Sequence, residues 1–257
     1  MGHWTWTWAC ASHIGTSHLK TGQRLQDAFS CFTCSSLGKD FFVGIVSDGA
    51  GTAEYGGEGA SLVCRSLGLA AKRHFARGQD LPSQALVEYW VDESRDRIYK
   101  AAQARGKEAR DFAATLVCVI SDGENTLFAH IGDGCAVVRE HSTGQWLAGT
   151  WPDHGEYAST TTFVTDQPVA KLRVTHLALA VDVVSLFSDG IERMVLDMAT
   201  KKPAERFFGV VAQPVIASAV PSGRDAVLSS HLKAYLGGEQ VNARTDDDKT
   251  LVIAALR

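Results

Sequence analysis

The acids of this chain that could do chemistry stand where apolar runs begin or end. Ser47-Asp48-Gly49 follows FFVGIV, and Ser188-Asp189-Gly190 follows VVSLF. Asp246-Asp247-Asp248 precedes the apolar run LVIAAL, and Asp27 precedes AFSCF. Four strand-edge acidic groups, with almost no His or Cys among them, point to hard divalent cations held by oxygen ligands. An Asp at a strand end sits near solvent at little cost, and a following Gly lets the backbone carbonyl turn toward a cation. Taken singly, Asp48 or Asp189 reads first as a turn or N-cap aspartate. A third copy of the tripeptide, Ser121-Asp122-Gly123, lies between two apolar runs and reads as an ordinary hairpin turn. The tripeptide alone therefore identifies nothing, and the argument needs the whole set.

The elements that must position these acids follow from periodicity. Trp4, Trp6 and Trp8 alternate with Thr5 and Thr7, which puts the rings on one face of a strand. Residues 25–34 and 41–47 read as a hairpin joined by the turn-like segment from Ser35 to Asp40. Leu62, Val63, Leu67, Leu69 and Ala70 fit one face of a helix over 58–77. Pro82 and Ser83 open an amphipathic helix that reaches about Arg105. Residues 113–121, 125–131 and 134–140 give three strands with tight links, expected to form an antiparallel meander. Strands at 174–180 and 183–188, helices at 203–218 and 222–236, and a last strand at 249–256 complete the pattern. Runs of strands with helices in pairs predict antiparallel sheets covered by helices, not an alternating βαβ fold.

Bulk properties narrow the class. The 257 residues carry a formal charge of −4 and 45% hydrophobic residues, enough for a substantial core, and no linker or repeat argues for a domain cut within 1–257. Neither a nucleic-acid patch nor an acidic tail is evident. No window approaches the roughly 18 apolar residues of a membrane span, and the first residues lack a secretory pattern, so a cytoplasmic location is expected. Gly2 does not open a myristoylation signal, because its sixth position is Trp6. Of the six cysteines, most lie in apolar segments where the thiol acts as a small hydrophobe, and Cys31-Phe-Thr-Cys34 has no second half of a zinc site.

The order of the motifs resembles the metal-dependent protein phosphatases of type 2C, especially their shorter bacterial branch, from about residue 12 to the end. Gln26-Asp27-Ala28-Phe29 is similar to the first acidic motif, and Ser47-Asp48-Gly49-Ala50-Gly51 to the metal motif Asp-Gly-x-Gly. Ala114-Thr115-Leu116, Gly132-Asp133-Gly134, Ser188-Asp189-Gly190-Ile191 and Asp247-Asp248-Lys249-Thr250 follow in the family order. The resemblance implies an α+β fold, a β-sandwich of two antiparallel sheets flanked by helices on both sides. It implies a binuclear manganese or magnesium centre in which Asp48 bridges both ions, the Gly49 carbonyl binds one, and Asp189 and Asp247 bind the other. Asp27 would act through water, and Asp133 with Asp189 would hold a third, weaker ion. The implied reaction is hydrolysis of phosphoserine and phosphothreonine in a protein substrate, by a monomer working opposite a Ser/Thr kinase.

Two departures open an alternative. The family places an Arg for the substrate phosphate five residues before the first acid, and here that position is Gly22, leaving His18 and Arg24, with Lys20 nearby, as candidates. Gly134-Cys135 also replaces a common Ser-Arg pair. Both favour, as the second reading, a pseudophosphatase that binds phosphoproteins without hydrolysing them. A two-metal nuclease shares the acids but lacks a basic surface. His154, Glu156 and Thr160 to Thr162 fall where the family carries a substrate-facing flap, and read as solvated loop residues outside the catalytic set.

Overall fold

The structure is a computed structural model that describes residues 4–153 and 161–257. The chain runs β1 (Trp6–His13), α1 (Thr16–Thr21), β2 (Ala28–Ser36), β3 (Lys39–Ser47), α2 (Gly56–Phe75) and α3 (Gln84–Ala104). It continues through β4 (Leu116–Ser121), β5 (Asn125–Ile131), β6 (Cys135–Glu140), β7 (Trp146–Ala148), β8 (Arg173–Ala178), β9 (Val181–Phe187) and α4 (Glu192–Val195). It ends with β10 (Leu196–Asp197), β11 (Lys202–Pro203), α5 (Glu205–Ile216), β12 (Gly223–Arg224), α6 (Ala226–Leu236), α7 (Glu239–Asn242) and β13 (Lys249–Leu256).

Two sheets form a sandwich, one in the order β12-β1-β13-β9-β6-β7 and the other β2-β3-β4-β5-β8. Pairing is antiparallel except for the short β1–β12 contact. Strands buried on both faces explain the continuous apolar runs: in β3, Phe41, Val43 and Ile45 face α2 and α3, whereas Phe42 and Val46 face the second sheet. In β13, Leu251 and Ile253 face α5 and α6, and Val252 and Ala254 point between the sheets. Trp6 and Trp8 pack on Phe42 with ring centroids 5.5 and 5.8 Å away, while Trp4 is exposed and meets His141 edge-on.

Two expectations need correction. Strands β4, β5 and β6 are not a meander: β4 and β5 pair, but β6 crosses to the other sheet and pairs with β9. The switch occurs at Gly132, whose φ of +103° suits only a residue without a side chain. Gly134, two residues on, leaves no room for a Cβ, which would lie 2.6 Å from the Val117 side chain. The β2–β3 turn is also tighter than the six residues read as turn. Only Leu37 and Gly38 are outside the strands, both with positive φ, the geometry of a two-residue hairpin. Cys31 and Cys34 lie three apart on β2 and so on opposite faces, one packed between the sheets and the other under the helices.

Helix α2 packs on the five-stranded sheet and on the single turn at Ala109–Phe112. Its Gly59 has no space, since a Cβ would stand 2.0 Å from the Phe112 carbonyl oxygen. Its Gly68 meets nothing nearer than the Phe32 ring at 3.4 Å. We expect Gly59→Ala to destabilise the protein by about 1–3 kcal/mol through overpacking. Gly68→Ala, in the same helix, should be neutral or stabilising by up to about 1 kcal/mol from helix propensity. Urea midpoints at constant slope measure both, and the same sign for the two would contradict this packing.

Candidate metal centre

At one end of the sandwich both sheets deliver carboxylates to one place. Oxygens of Asp48 after β3, Asp133 in the β5–β6 crossing and Asp189 after β9 all lie within 4.8 Å of one another. Asp247, just before β13, adds charge on the Asp189 side. Each of these positions is a strand exit, where the backbone ladder stops and a side chain can turn inward without losing a ladder bond.

The turns carrying these acids are held from behind. The Asp48 N–H donates to Thr115 Oγ1 at 3.0 Å, the Thr115 N–H donates to the Asp48 carbonyl at 2.8 Å, and the Ser47 hydroxyl donates to the Thr115 carbonyl at 2.6 Å. Gly49 approaches α2 so closely that a Cβ would sit 2.2 Å from the Gly56 carbonyl carbon. Gly190 is likewise closed off, with a Cβ position 1.8 Å from the Asp248 carbonyl oxygen. His130 fixes the crossing that carries Asp133, its Nε2 donating to the Gly134 carbonyl at 2.9 Å. Burial pushes the His130 imidazole down to about 4, so it is neutral at pH 7.

Asp27 lies beside this cluster at the start of β2. Its Oδ2 accepts from Ser188 Oγ at 2.8 Å and from Thr250 Oγ1 at 2.6 Å, while its Oδ1 is buried without a hydrogen-bond partner. Burial raises Asp27 from its ordinary 3.8 to about 6 against the pull of those hydroxyls. Burial also raises Asp48, reinforced by the charges of Asp27 and Asp189. Asp189 is raised by burial and then by Asp133 and Asp247, and Asp247 chiefly by burial. The control copy of the tripeptide behaves oppositely. Asp122, at the other end of β4, is buried too, but the Lys39 ammonium at 2.7 Å and the Asn125 and Glu124 N–H groups hold its carboxyl low.

The acidic triplet before β13 divides into three roles. Asp246 is exposed, and its carbonyl accepts from the Ser17 N–H and hydroxyl, which ties down the start of α1. Asp247 faces the cluster. Asp248 is 2% exposed and accepts the Gly15 N–H on Oδ1 and the Gln26 N–H on Oδ2, both at 2.6 Å. It thereby clamps both ends of the loop that carries α1 and Arg24. His18 is buried, with Nδ1 3.0 Å from Asp248 Oδ1, whereas Arg24 is exposed. Asp248, Ser188 and Thr250 were visible in the sequence only as members of motifs. Nothing in their spacing distinguishes an acid that clamps backbone from one that faces a cluster.

The donor set fits hard divalent ions: crowded carboxylates, a buried partnerless oxygen on Asp27 and another on Asp189, and no thiol or imidazole in the group. His154, Glu156 and Thr160 lie outside the described residues, and Thr162 is buried beside Gly132. Among the described residues no helix is long and apolar enough to cross a membrane.

The profile of a family described as "Protein phosphatase 2C" matches residues 14–236, ending before Asp247. A curated protein of Escherichia coli (strain K12), "Serine/threonine-protein phosphatase 3", is 34% identical over 252 residues, covering 97% of this chain and 98% of that one. The fold is shared with PppA, described as a regulatory component of T6SS in Pseudomonas aeruginosa, at a TM-score of 0.66 and 17% identity over 99% and 100% of the two chains. It is shared with the catalytic domain of serine threonine protein phosphatase PstP in complex with 2 manganese ions, at a TM-score of 0.64 and 17% identity over 98% and 99%. Stp1 from Staphylococcus aureus superposes with a TM-score of 0.62 at 17% identity, over 97% and 94%.

Raised carboxyls destabilise the metal-free fold as they ionise. For Asp27 the stabilisation that comes with its proton is fully present below the unfolded value of 3.8 and is lost as pH rises through about 6. The melting temperature of chelator-treated protein should therefore fall between pH 4 and pH 6. Added manganese should raise it, more at pH 7 than at pH 5, because protons compete for the ligands. A manganese shift of equal size at both values would contradict the assignment.

Proposed function

The chain belongs to the protein phosphatase 2C family, and from that premise we propose that it hydrolyses phosphoserine and phosphothreonine in protein substrates by direct attack of water at a metal centre. The observation that carries this reading is the meeting of Asp48, Asp133 and Asp189 oxygens within 4.8 Å at the ends of strands from both sheets. Asp48, Asp189 and Asp247, with the Gly49 carbonyl, would hold two magnesium or manganese ions, and Asp133 with Asp189 a third. Two divalent ions held there would acidify water and neutralise phosphoryl oxygens during in-line displacement.

The side chains around that centre do the rest. Asp27 keeps Oδ2 on the Ser188 and Thr250 hydroxyls, which leaves Oδ1 to accept a proton from the attacking water and orient it. Burial holds the Asp27 carboxyl at about 6 in the metal-free cluster, and bound cations would lower it, so it is ionised at pH 7. Arg24, exposed on the loop that Asp248 clamps, would be the cation that meets the substrate phosphate, and His18 against Asp248 helps to hold that loop. Gly22 thus need not supply the cation itself. Each acidic position that the resemblance implies carries an acid in this chain, which supports hydrolysis over the phosphoprotein-binding alternative. Such an enzyme would act opposite a Ser/Thr kinase.

Release of phosphate from a phosphothreonine peptide with manganese, with magnesium and with excess chelator tests the reading. Turnover should require metal, and Asp48→Asn should lower kcat by at least about a hundredfold while the protein stays folded. Arg24→Ala should raise KM for the peptide several-fold with less effect on kcat. Binding of the peptide without release under any condition would overturn the proposal in favour of a phosphoprotein-binding module.

A further inference from the structure

Helix α5 has more apolar surface than the core uses. Phe208, Ala212 and Val215 are buried against the six-stranded sheet, as an amphipathic helix requires. Phe207, Val210 and Val211 form a second stripe, facing Leu228, Leu232 and Tyr235 of α6 across a cleft of about 710 Å³. The spacing on both helices is that of one face. Ala9 of β1 and Ile253 of β13 lie at the floor of the cleft, where they are buried. Val210 is 66% exposed and Tyr235 40%, an uncovered apolar surface of the kind that marks an interaction site.

Two further observations say what covers it. Met194 and Arg244 line this cleft and also the polar cavity of about 280 Å³ that contains Asp189 and Asp247. The apolar cleft therefore adjoins the side of the metal centre that carries Asp189 and Asp247. Arg206 and Arg244 stand at the cleft, exposed, and neither pairs with an acidic side chain among the described residues. A ligand whose one end reaches the centre meets apolar walls and two unpaired cations immediately beyond it.

We propose that the α5–α6 cleft docks the stretch of the phosphoprotein substrate that flanks the phosphorylated residue, selecting large apolar side chains with acidic neighbours. The proposal rests on the phosphatase reading for the identity of the occupant. Its geometry is that of an apolar segment laid into a groove, with charge at the rim setting orientation. Val210 and the facing Tyr235 provide the apolar contact, and Arg244, between cleft and cavity, reads the acidic side chain nearest the phosphate.

The test uses fluorescein-labelled phosphothreonine peptides of equal length, one flanked by Leu, Phe and Glu, the other by Gly, Ser and Lys. Each peptide carries a non-hydrolysable phosphonate in place of the phosphate, so that binding to the manganese-loaded protein is followed by anisotropy without turnover. The apolar, acidic peptide should bind at least about tenfold more tightly to the wild type. Val210→Asp and Arg244→Glu should each remove most of that preference, and a third peptide with Lys in place of Glu should recover binding to Arg244→Glu. Val227→Asp, a similar change at an exposed α6 position outside the cleft, should leave the preference intact. Equal binding of the first two peptides to the wild type, or the same behaviour from Val210→Asp and Val227→Asp, overturns the proposal. Arg244 is exposed, so its exchange reports on the cleft even if Val210→Asp folds poorly. Hydrolysis of para-nitrophenyl phosphate with manganese separates the two ideas: turnover without peptide preference sinks the cleft and keeps the phosphatase, whereas preference without turnover does the reverse.

Discussion

The rest of the structure is arranged around a repulsion. Asp48, Asp133 and Asp189 bring carboxylate oxygens within 4.8 Å of one another, with Asp27 and Asp247 beside them. Such a group raises its own pKa values and opposes its own ionisation. It persists only if the backbone around it cannot relax. That requirement accounts for the contacts behind the acids: the Thr115 hydroxyl under Asp48, the Ser188 and Thr250 hydroxyls under Asp27, and the Gly134 carbonyl under a neutral His130. The glycines at 49, 134 and 190 serve the same end by letting neighbouring backbone approach too closely for any side chain.

A sandwich is suited to hold such a group because neither sheet holds it alone. Asp48 leaves the five-stranded sheet, Asp189 leaves the six-stranded sheet, and Asp133 sits where the chain crosses from one to the other. The inter-sheet core of Trp6, Trp8, Phe42, Val184 and Leu186 fixes the spacing between the sheets and, through it, the spacing of the acids. Close packing in that layer transmits directly to the centre, since a shift of one sheet against the other moves Asp48 relative to Asp189. Substitutions far from the acids, at Gly44 against Leu186 for example, act on the same coordinate.

Much of this was legible in the chain, for physical reasons that also mark where legibility ends. Periodicity identified β3, β5, β13, α2 and α3 because each buries one or both faces regularly. Periodicity assigns a face and not a sheet, so β6 read as the third strand of a meander although Gly132 carries it across the sandwich. The short α1 was missed because its six residues have no apolar stripe and its position depends on Asp248, over two hundred residues away. The acids of the cluster were legible as a set from their order. Their individual duties were not, because Asp247 and Asp248 are adjacent and differ only in which way the turn before β13 points them.

The three Ser-Asp-Gly copies make the same point in electrostatic terms. Asp48, Asp122 and Asp189 share identical neighbours in sequence, and burial acts on all three in the same upward direction. Asp122 ends low because Lys39 and two N–H groups face it. Asp48 and Asp189 end high because other carboxylates face them, and only an added cation reverses that sign. A tripeptide therefore specifies a turn, whereas the charge of what lies opposite specifies a function. What lies opposite is decided by sheet order and sheet crossing, which is why fold and chemistry in this protein are a single problem.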